Sequence, residues 1–443
     1  MEIKDFILAP TYLLAIFFLL YLIKRRSTNK KHLNKYLFPA VAVKLFGAFI
    51  FVIIYWYHYG YGDSISYYAT ARYLSNKLFE YPSDIIDILI SPVSNFTVFQ
   101  EYLISGSPSF AGYRNESNFM VVRVAVFLNL LSSNSYLITN FLFALLSFTG
   151  IWKTYITCYK LFPKNAKWYA IAIFFMPSVF FWGSPLLKDS LTISALGWLF
   201  YASTELMVFR NFRIIYVVEV LVAVLIISII KIYVIAAFIP AFIFWLTVYK
   251  IAEIKNPFLR IFSVPSLLTI MILLSVLFIN QVGEINAKYS IDNIGNAVRV
   301  TQEDIARNSS SEASYDLGVT DYSFTGLLKV FPSAVSTSLF RPYIWEVGNV
   351  VMLFSGIENT ILLLLTIYTL FKVGLMRSLK TIMKNPFLQF CFVFSLIFAF
   401  AVGISTYNFG TLVRYKIPLI LFYTIGLATL HGYTRPTSLD RNL

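Results

Sequence analysis

The sequence predicts an all-α polytopic membrane protein with about eleven transmembrane helices, and three observations carry that prediction. Apolar residues make up 58% of the 443 residues and charged residues only 13%, whereas a soluble domain is about 45–50% apolar and about 25% charged. The apolar residues fall in runs long enough to cross a hydrocarbon core, which takes about 20 residues. Lysine and arginine, the source of a formal net charge of +14, gather in every second connection between those runs. Such a composition excludes a soluble enzyme, a disordered tail and a disulfide scaffold. Cys158 and Cys391 both sit in apolar stretches, and His32, His58 and His431 are too scattered to offer ligand spacing.

Taken in order, the first run, 7–23, follows Glu2 and Asp5 and precedes Lys24, Arg25 and Arg26. A cleaved signal carries its basic residues before the apolar part, so this run reads as a span. The second, 36–57, leads into a long polar segment, 58–135, and the next three are 136–158, 168–183 and 190–208. The stretch from Ile214 to Tyr249 is too long for one crossing and is expected to break near Lys231, into 214–230 and 232–249. A further run, 261–280, precedes a second long segment, 281–349; the runs 350–371, 386–404 and 416–432 complete the set. The connections KRRSTNKKHLNK, KLFPKNAK, FRNFR, KIAEIKNPFLR, KVGLMRSLKTIMK and the tail HGYTRPTSLDRNL are basic, with Glu253 and Asp440 their acids, while both long segments carry more acids than bases. Basic connections face the cytoplasm. The N-terminus and the two long loops are therefore expected outside, and the C-terminus inside.

The whole chain, 1–443, is expected as a single transmembrane domain, without a heptad run, internal repeat or low-complexity segment. Within the loops 58–135 and 281–349, FMVVRVAVFLNLL and FTGLLKVFPSAVSTSLF read as helices lying on the membrane surface, the first alternatively as an extra crossing. Because the cytoplasmic connections absorb most of the +14, the charge asks for no nucleic-acid partner.

Ionisable groups at or inside a membrane are expensive, so the few on the outward side are informative. In GYGDSISYYATARYLSNKL, Asp63, Tyr67, Ala71 and Leu74 share one face of a helix opening at the acid, which reads either as a cap or as a catalytic carboxylate. In MPSVFFWGSPLLKDSLT, Trp182, Lys188 and Asp189 occupy a short turn; Lys188 departs from the positive-inside pattern and needs a local acid or an anionic ligand. SLFRPYIWEVGN sets Arg341 beside Glu346, among the interfacial aromatics Tyr343 and Trp345, and Glu358 follows inside an apolar helix where a carboxylate needs a partner. STYNFGTLVRYKIP places Asn408, Arg414 and Lys416 before the last span; a guanidinium holds phosphate in a bidentate fork and lysine adds a point charge, unless both simply snorkel to headgroups. Lys188, Arg341, Arg414 and Lys416, joined by Lys231, make a cationic rim with Asp63 and Asp189 at the outer boundary. That arrangement suits a lipid phosphate whose tail lies in the bilayer.

These residues resemble the C-type glycosyltransferases (GT-C fold), integral membrane enzymes that take a sugar from a polyprenyl-phosphate carrier. The likeness lies in Asp63, Tyr67 and Ala71 opening an outward loop, and in Asp189 within the later turn PSVFFWGSPLLKDS. LLKDS and RYKIP also look like segments of bacterial relatives of the protein O-mannosyl and lipid A aminoarabinose transferases. The topological likeness covers most of the chain and the motif likeness about forty residues. It implies a bacterial inner-membrane enzyme whose Asp63 takes a proton from an acceptor hydroxyl on a glycan, lipid or protein, with inversion at the sugar. It further implies a second acid at Asp189, phosphate stabilisation by Lys188, Arg341, Arg414 and Lys416, and substrate contacts from Glu346, Asn408, Tyr67 and Trp182. A divalent cation, Mg2+ or Mn2+, on Asp63 and Asp189 stays open, because the family often pairs acids here whereas Asp63 stands between Gly62 and Ser64. A span precedes the one that leads into the acidic loop, another departure from the common pattern. Two other classes compete: an O-antigen-type polysaccharide polymerase or ligase, against which Asp63 counts, and a lipid-linked glycan transporter, for which matching repeats are expected.

Overall fold

The computed structural model describes residues 2–26, 33–93, 115–253, 269, 294–308, 314–348 and 350–433. Among them every regular element is a helix, and one isolated antiparallel bridge pairs Ser314 with Asn408. The predicted span 261–280, apart from residue 269, lies outside the described residues, as do parts of both long loops and the tail from 434. The first helices are α1 Ile3–Arg26, α2 Leu37–Ile53, α3 Asp63–Glu80, α4 Ile85–Ile90, α5 Glu116–Leu131 and α6 Tyr136–Leu161. Next come α7 Ala166–Phe174, α8 Pro177–Phe181, α9 Lys188–Met207, α10 Ile214–Glu253, α11 Ile294–Asn308 and α12 Phe324–Lys329. The chain closes with α13 Phe331–Phe340, α14 Val350–Val373, α15 Leu375–Lys384, α16 Pro386–Thr406, α17 Phe409–Tyr415 and α18 Ile417–Gly432.

Six helices among the described residues are long and apolar enough to cross a membrane: α1, α2 with its flanking turns, α6, α10, α14 and α16. The pair α17 and α18, bent by 58°, makes a seventh if taken as one broken span. The distance from eleven has physical sources. A residue before proline is pushed out of the helical region, so the 168–183 run divides, α7 ending at Phe174 and α8 restarting at Pro177. With 20 residues α9 has the length, but Lys188, Asp189 and several Ser and Thr dilute its apolar character. The 40 residues of α10 would reach about 60 Å as one straight helix, twice a hydrocarbon core, but the stretch is two helices that meet at a kink. Its non-helical residue is Lys231, at φ −149° and ψ 72°, where the sequence reading expects a break.

The chain forms two compact units. One comprises Met1–Thr157, Val179–Leu206 and Asn211–Lys231; the other comprises Cys158–Ser178, Met207–Arg210 and Ile232–Leu443. In the first, α6 and α9 cross through glycine: a Cβ on Gly150 would lie 2.0 Å from Ser194 O, and one on Gly197 2.1 Å from Gly150 O. Small residues let helix backbones approach in lipid, where dispersion and hydrogen bonds drive association. The loop helices are pinned by Arg123 of α5, whose guanidinium reaches Ile88 O (2.9 Å), Ser91 O (2.8 Å) and Glu116 (3.1 Å). In the second unit an aromatic stack joins the later limb of α10 (Phe238, Phe242, Trp245) to Phe387, Phe390 and Phe394 of α16 and Phe422 of α18. Against α16 lies α13, with Ser338 Oγ donating to Ala399 O at 2.7 Å.

Candidate functional site

The first polar cluster begins where α2 ends. This helix continues as one π-helical turn, Ile54–Tyr59, and stops at Gly60, whose φ is 69°. Gly62 has φ 134°, and a Cβ there would press on the Tyr55 ring at 3.0 Å, so the reversal needs glycine. Asp63 becomes the first residue of α3, with Gly62 rather than the acid at the N-cap. Its carboxylate lies at the positive end of the helix dipole. Tyr67, Ala71 and Leu74 follow at intervals of four, four and three, and all three are buried, as one-face spacing demands.

From that face the Tyr67 hydroxyl donates to Asn118 Oδ1 at 2.9 Å. The neighbouring Ser117 Oγ accepts from Lys188 Nζ at 2.7 Å. Ser117 and Asn118 sit in the first turn of α5 because Asn115 caps that helix, accepting from Ser117 N at 2.9 Å. Lys188 opens α9. The N-terminal turns of α5 and α9 therefore meet, and α3 adds Tyr67 one turn after Asp63. Asp189 is buried (3% exposed) and paired with Lys231 (7% exposed) at the break in α10. Trp182 packs edge-on against Phe51, Tyr55 and Phe181, as part of an aromatic core. Among the described residues no group of three or more His, Cys, Asp or Glu is arranged to hold a metal ion.

The second cluster lies wholly in the other unit. Arg341 follows α13, and its Nε donates to both Glu346 carboxylate oxygens, at 2.9 and 3.1 Å. Tyr343 N also donates to that carboxylate, at 2.8 Å. The guanidinium lies 5.8 Å from the Tyr315 ring centre and 5.2 Å from that of Phe409. Burial pushes the Tyr315 phenol up to about 12, so it stays protonated and donates to Gly403 O at 3.1 Å. At the bend between α17 and α18, Lys416 Nζ donates to Arg341 O (2.9 Å) and Asn359 Oδ1 (2.8 Å). Asn359 Nδ2 in turn reaches Pro342 O at 3.2 Å. The Glu358 carboxylate finds its partner in Ser178, accepting from the backbone N at 2.9 Å and from Oγ at 2.8 Å. Asn408 caps α17, accepting from Gly410 N at 2.7 Å and Thr411 N at 3.2 Å. Arg414 is half-buried in α17, and Trp345, 80% exposed, stacks on Tyr343.

The cationic rim read from the sequence thus divides between the units. Asp63, Tyr67, Lys188, Asp189 and Lys231 belong to the first; Arg341, Glu346, Lys416, Asn408 and Arg414 belong to the second. Sequence reasoning missed Ser117 and Asn118, although the NESN start of α5 carries a capping pattern that signals a helix N-terminus there. It also missed Lys44, a lone charge within the apolar run 36–57, whose Nζ donates to Ser147 Oγ (2.9 Å), Val179 O (3.2 Å) and Gly183 O (2.6 Å). Comparisons with protein-family models, with curated proteins and with solved structures returned no match for this chain.

Proposed function

We propose that the protein is a membrane glycosyltransferase of the GT-C type, moving a sugar from a polyprenyl-phosphate carrier to an acceptor hydroxyl on the outer face of a bacterial cytoplasmic membrane. The observation that carries this reading is a pair of hydrogen bonds, Tyr67 to Asn118 and Lys188 to Ser117, which bring Lys188 and the first turns of two helices to α3 one turn after the exposed Asp63. Helix N-termini and an ammonium favour a phosphate, and a carboxylate at the start of α3 supplies a base. Asp63 removes the acceptor proton as that oxygen attacks the anomeric carbon; the bond from that carbon to the phosphate oxygen breaks, with inversion. Lys188 stabilises the charge that develops on the departing lipid phosphate. Arg341, Arg414 and Lys416 are proposed to bind a phosphate-bearing lipid within the second unit, Glu346 holding the Arg341 fork in place. About eleven crossings, with the N-terminus outside, belong to the same proposal.

The test incubates the purified protein with labelled polyprenyl-phosphate monosaccharides and follows release of free lipid phosphate. Turnover is expected, and Asp63→Asn should lower it by at least about a thousandfold, the scale of general-base loss, with expression and insertion unchanged. Retained activity in that variant removes Asp63 from the mechanism. Turnover confined to diphosphate-linked oligosaccharides would replace the reading by a polymerase or ligase. One base suffices for direct displacement, so chelation with EDTA is expected to leave the rate unchanged; a loss restored by Mg2+ or Mn2+ would add a cation to the site.

A further inference from the structure

The helix α15, LMRSLKTIMK, joins two membrane-length helices, α14 and α16. At 100° per residue its sequence resolves into three faces. Ser378 and Ile382 turn inward, Ser378 buried and Ile382 packed against the cluster of Val373, Leu388 and Leu430. Leu375 (65% exposed), Met376 (66%), Leu379 (49%) and Met383 (76%) form a second, apolar face that is open. Arg377, Lys380 and Lys384 form a third, exposed and free of acids. Gly374, at φ 87°, turns the chain between α14 and α15. The helix that leads into it, α14, also carries exposed apolar residues, among them Leu364, Tyr368 and Phe371.

We propose that α15 is an in-plane anchor that binds anionic phospholipid, its four apolar side chains entering the acyl region and Arg377, Lys380 and Lys384 meeting the headgroup phosphates. The occupant follows from continuity and charge. A helix tied at both ends to membrane-length helices lies at a membrane boundary, and α14, which precedes it in the chain, itself exposes large apolar side chains. A helix with separate apolar and cationic faces and little net hydrophobicity rests in the interface, with an affinity that rises with anionic lipid. Each basic residue near an anionic surface contributes about fivefold in partition, so three contribute on the order of a hundredfold. The same three cations offer nothing to a zwitterionic headgroup beyond the shared phosphate. An acidic protein partner would not account for the four open apolar side chains beside them.

The test uses the full chain in nanodiscs of phosphatidylcholine alone or mixed with phosphatidylglycerol. An environment-sensitive fluorophore on Met383→Cys should be quenched by doxyl groups on the acyl chains, and the same label on Thr381→Cys much less. In detergent, thermal stabilisation by added phosphatidylglycerol should exceed that by phosphatidylcholine. The triple variant R377Q/K380Q/K384Q should weaken the apparent phosphatidylglycerol affinity by at least tenfold, while R377K/K380R/K384R, which keeps the charge and controls for folding, should retain it. Equal response to the two lipids in the native chain, or unchanged preference in the glutamine variant, overturns the proposal. So does protection of position 383 that grows with protein concentration, which would assign the face to a second copy of the chain.

Discussion

Lys44 shows how a single charge is accommodated in an apolar helix. It sits midway along α2, fully enclosed, and its ammonium serves the carbonyls of Val179 and Gly183 and the Ser147 hydroxyl. Those two carbonyls lie in and just after α8, so the lysine also sits where a helix dipole favours a cation. Lys44→Met keeps the volume and leaves the acceptors without that donor. A loss of about 1–3 kcal/mol is expected, read as a lower melting temperature in detergent. The Lys231 and Asp189 pair is a second case, both partners being nearly excluded from solvent. Breaking a buried pair from one side costs about 3–5 kcal/mol because the remaining charge is stranded. Lys231→Met should therefore be more destabilising than Lys231→Met combined with Asp189→Asn, and a double-mutant cycle on thermal unfolding checks the order.

At the scale of elements, the first cluster depends on where helices start rather than on what they contain. Asn115 begins α5, the glycines before Asp63 begin α3, and the turn after α8 begins α9 at Lys188. The position of that last start is held by the α6 and α9 crossing, where Gly150 and Gly197 put backbone against backbone. Gly197→Ala would set a methyl group 2.1 Å from Gly150 O, so the helices must separate. Overpacking of this kind costs about 1–3 kcal/mol. Lipid-phosphate release should fall together with stability, whereas the exposed Leu364→Ala on α14 should change neither.

At the scale of the molecule, the chain is divided into two units, each with a polar cluster and each with apolar helices of membrane length. The alternation of basic connections predicts that reporter enzymes fused after Lys384 and at the C-terminus are active on the cytoplasmic side, and one inserted in 58–135 on the outer side. The opposite pattern would invert the proposed topology and place Asp63 on the wrong face for an outward lipid-phosphate reaction.

The all-helical class, most apolar helices and the buried one-face spacing of Tyr67, Ala71 and Leu74 were legible in the sequence, whereas Asp63, read on the same face, is exposed; apolar period and run length are local properties. The break at Lys231 was legible for the same reason: an apolar run twice a membrane's thickness has to interrupt somewhere, and the charge marks the place. Partner choice was not legible. That Lys188 meets Ser117, that Glu358 is held by Ser178, and that Lys416 serves Arg341 O and Asn359 are decisions of tertiary packing. A polar group inside an apolar fold is satisfied by whichever donor or acceptor the packing delivers within about 3 Å. Many of those contacts join residues tens to hundreds of positions apart, which no local pattern encodes.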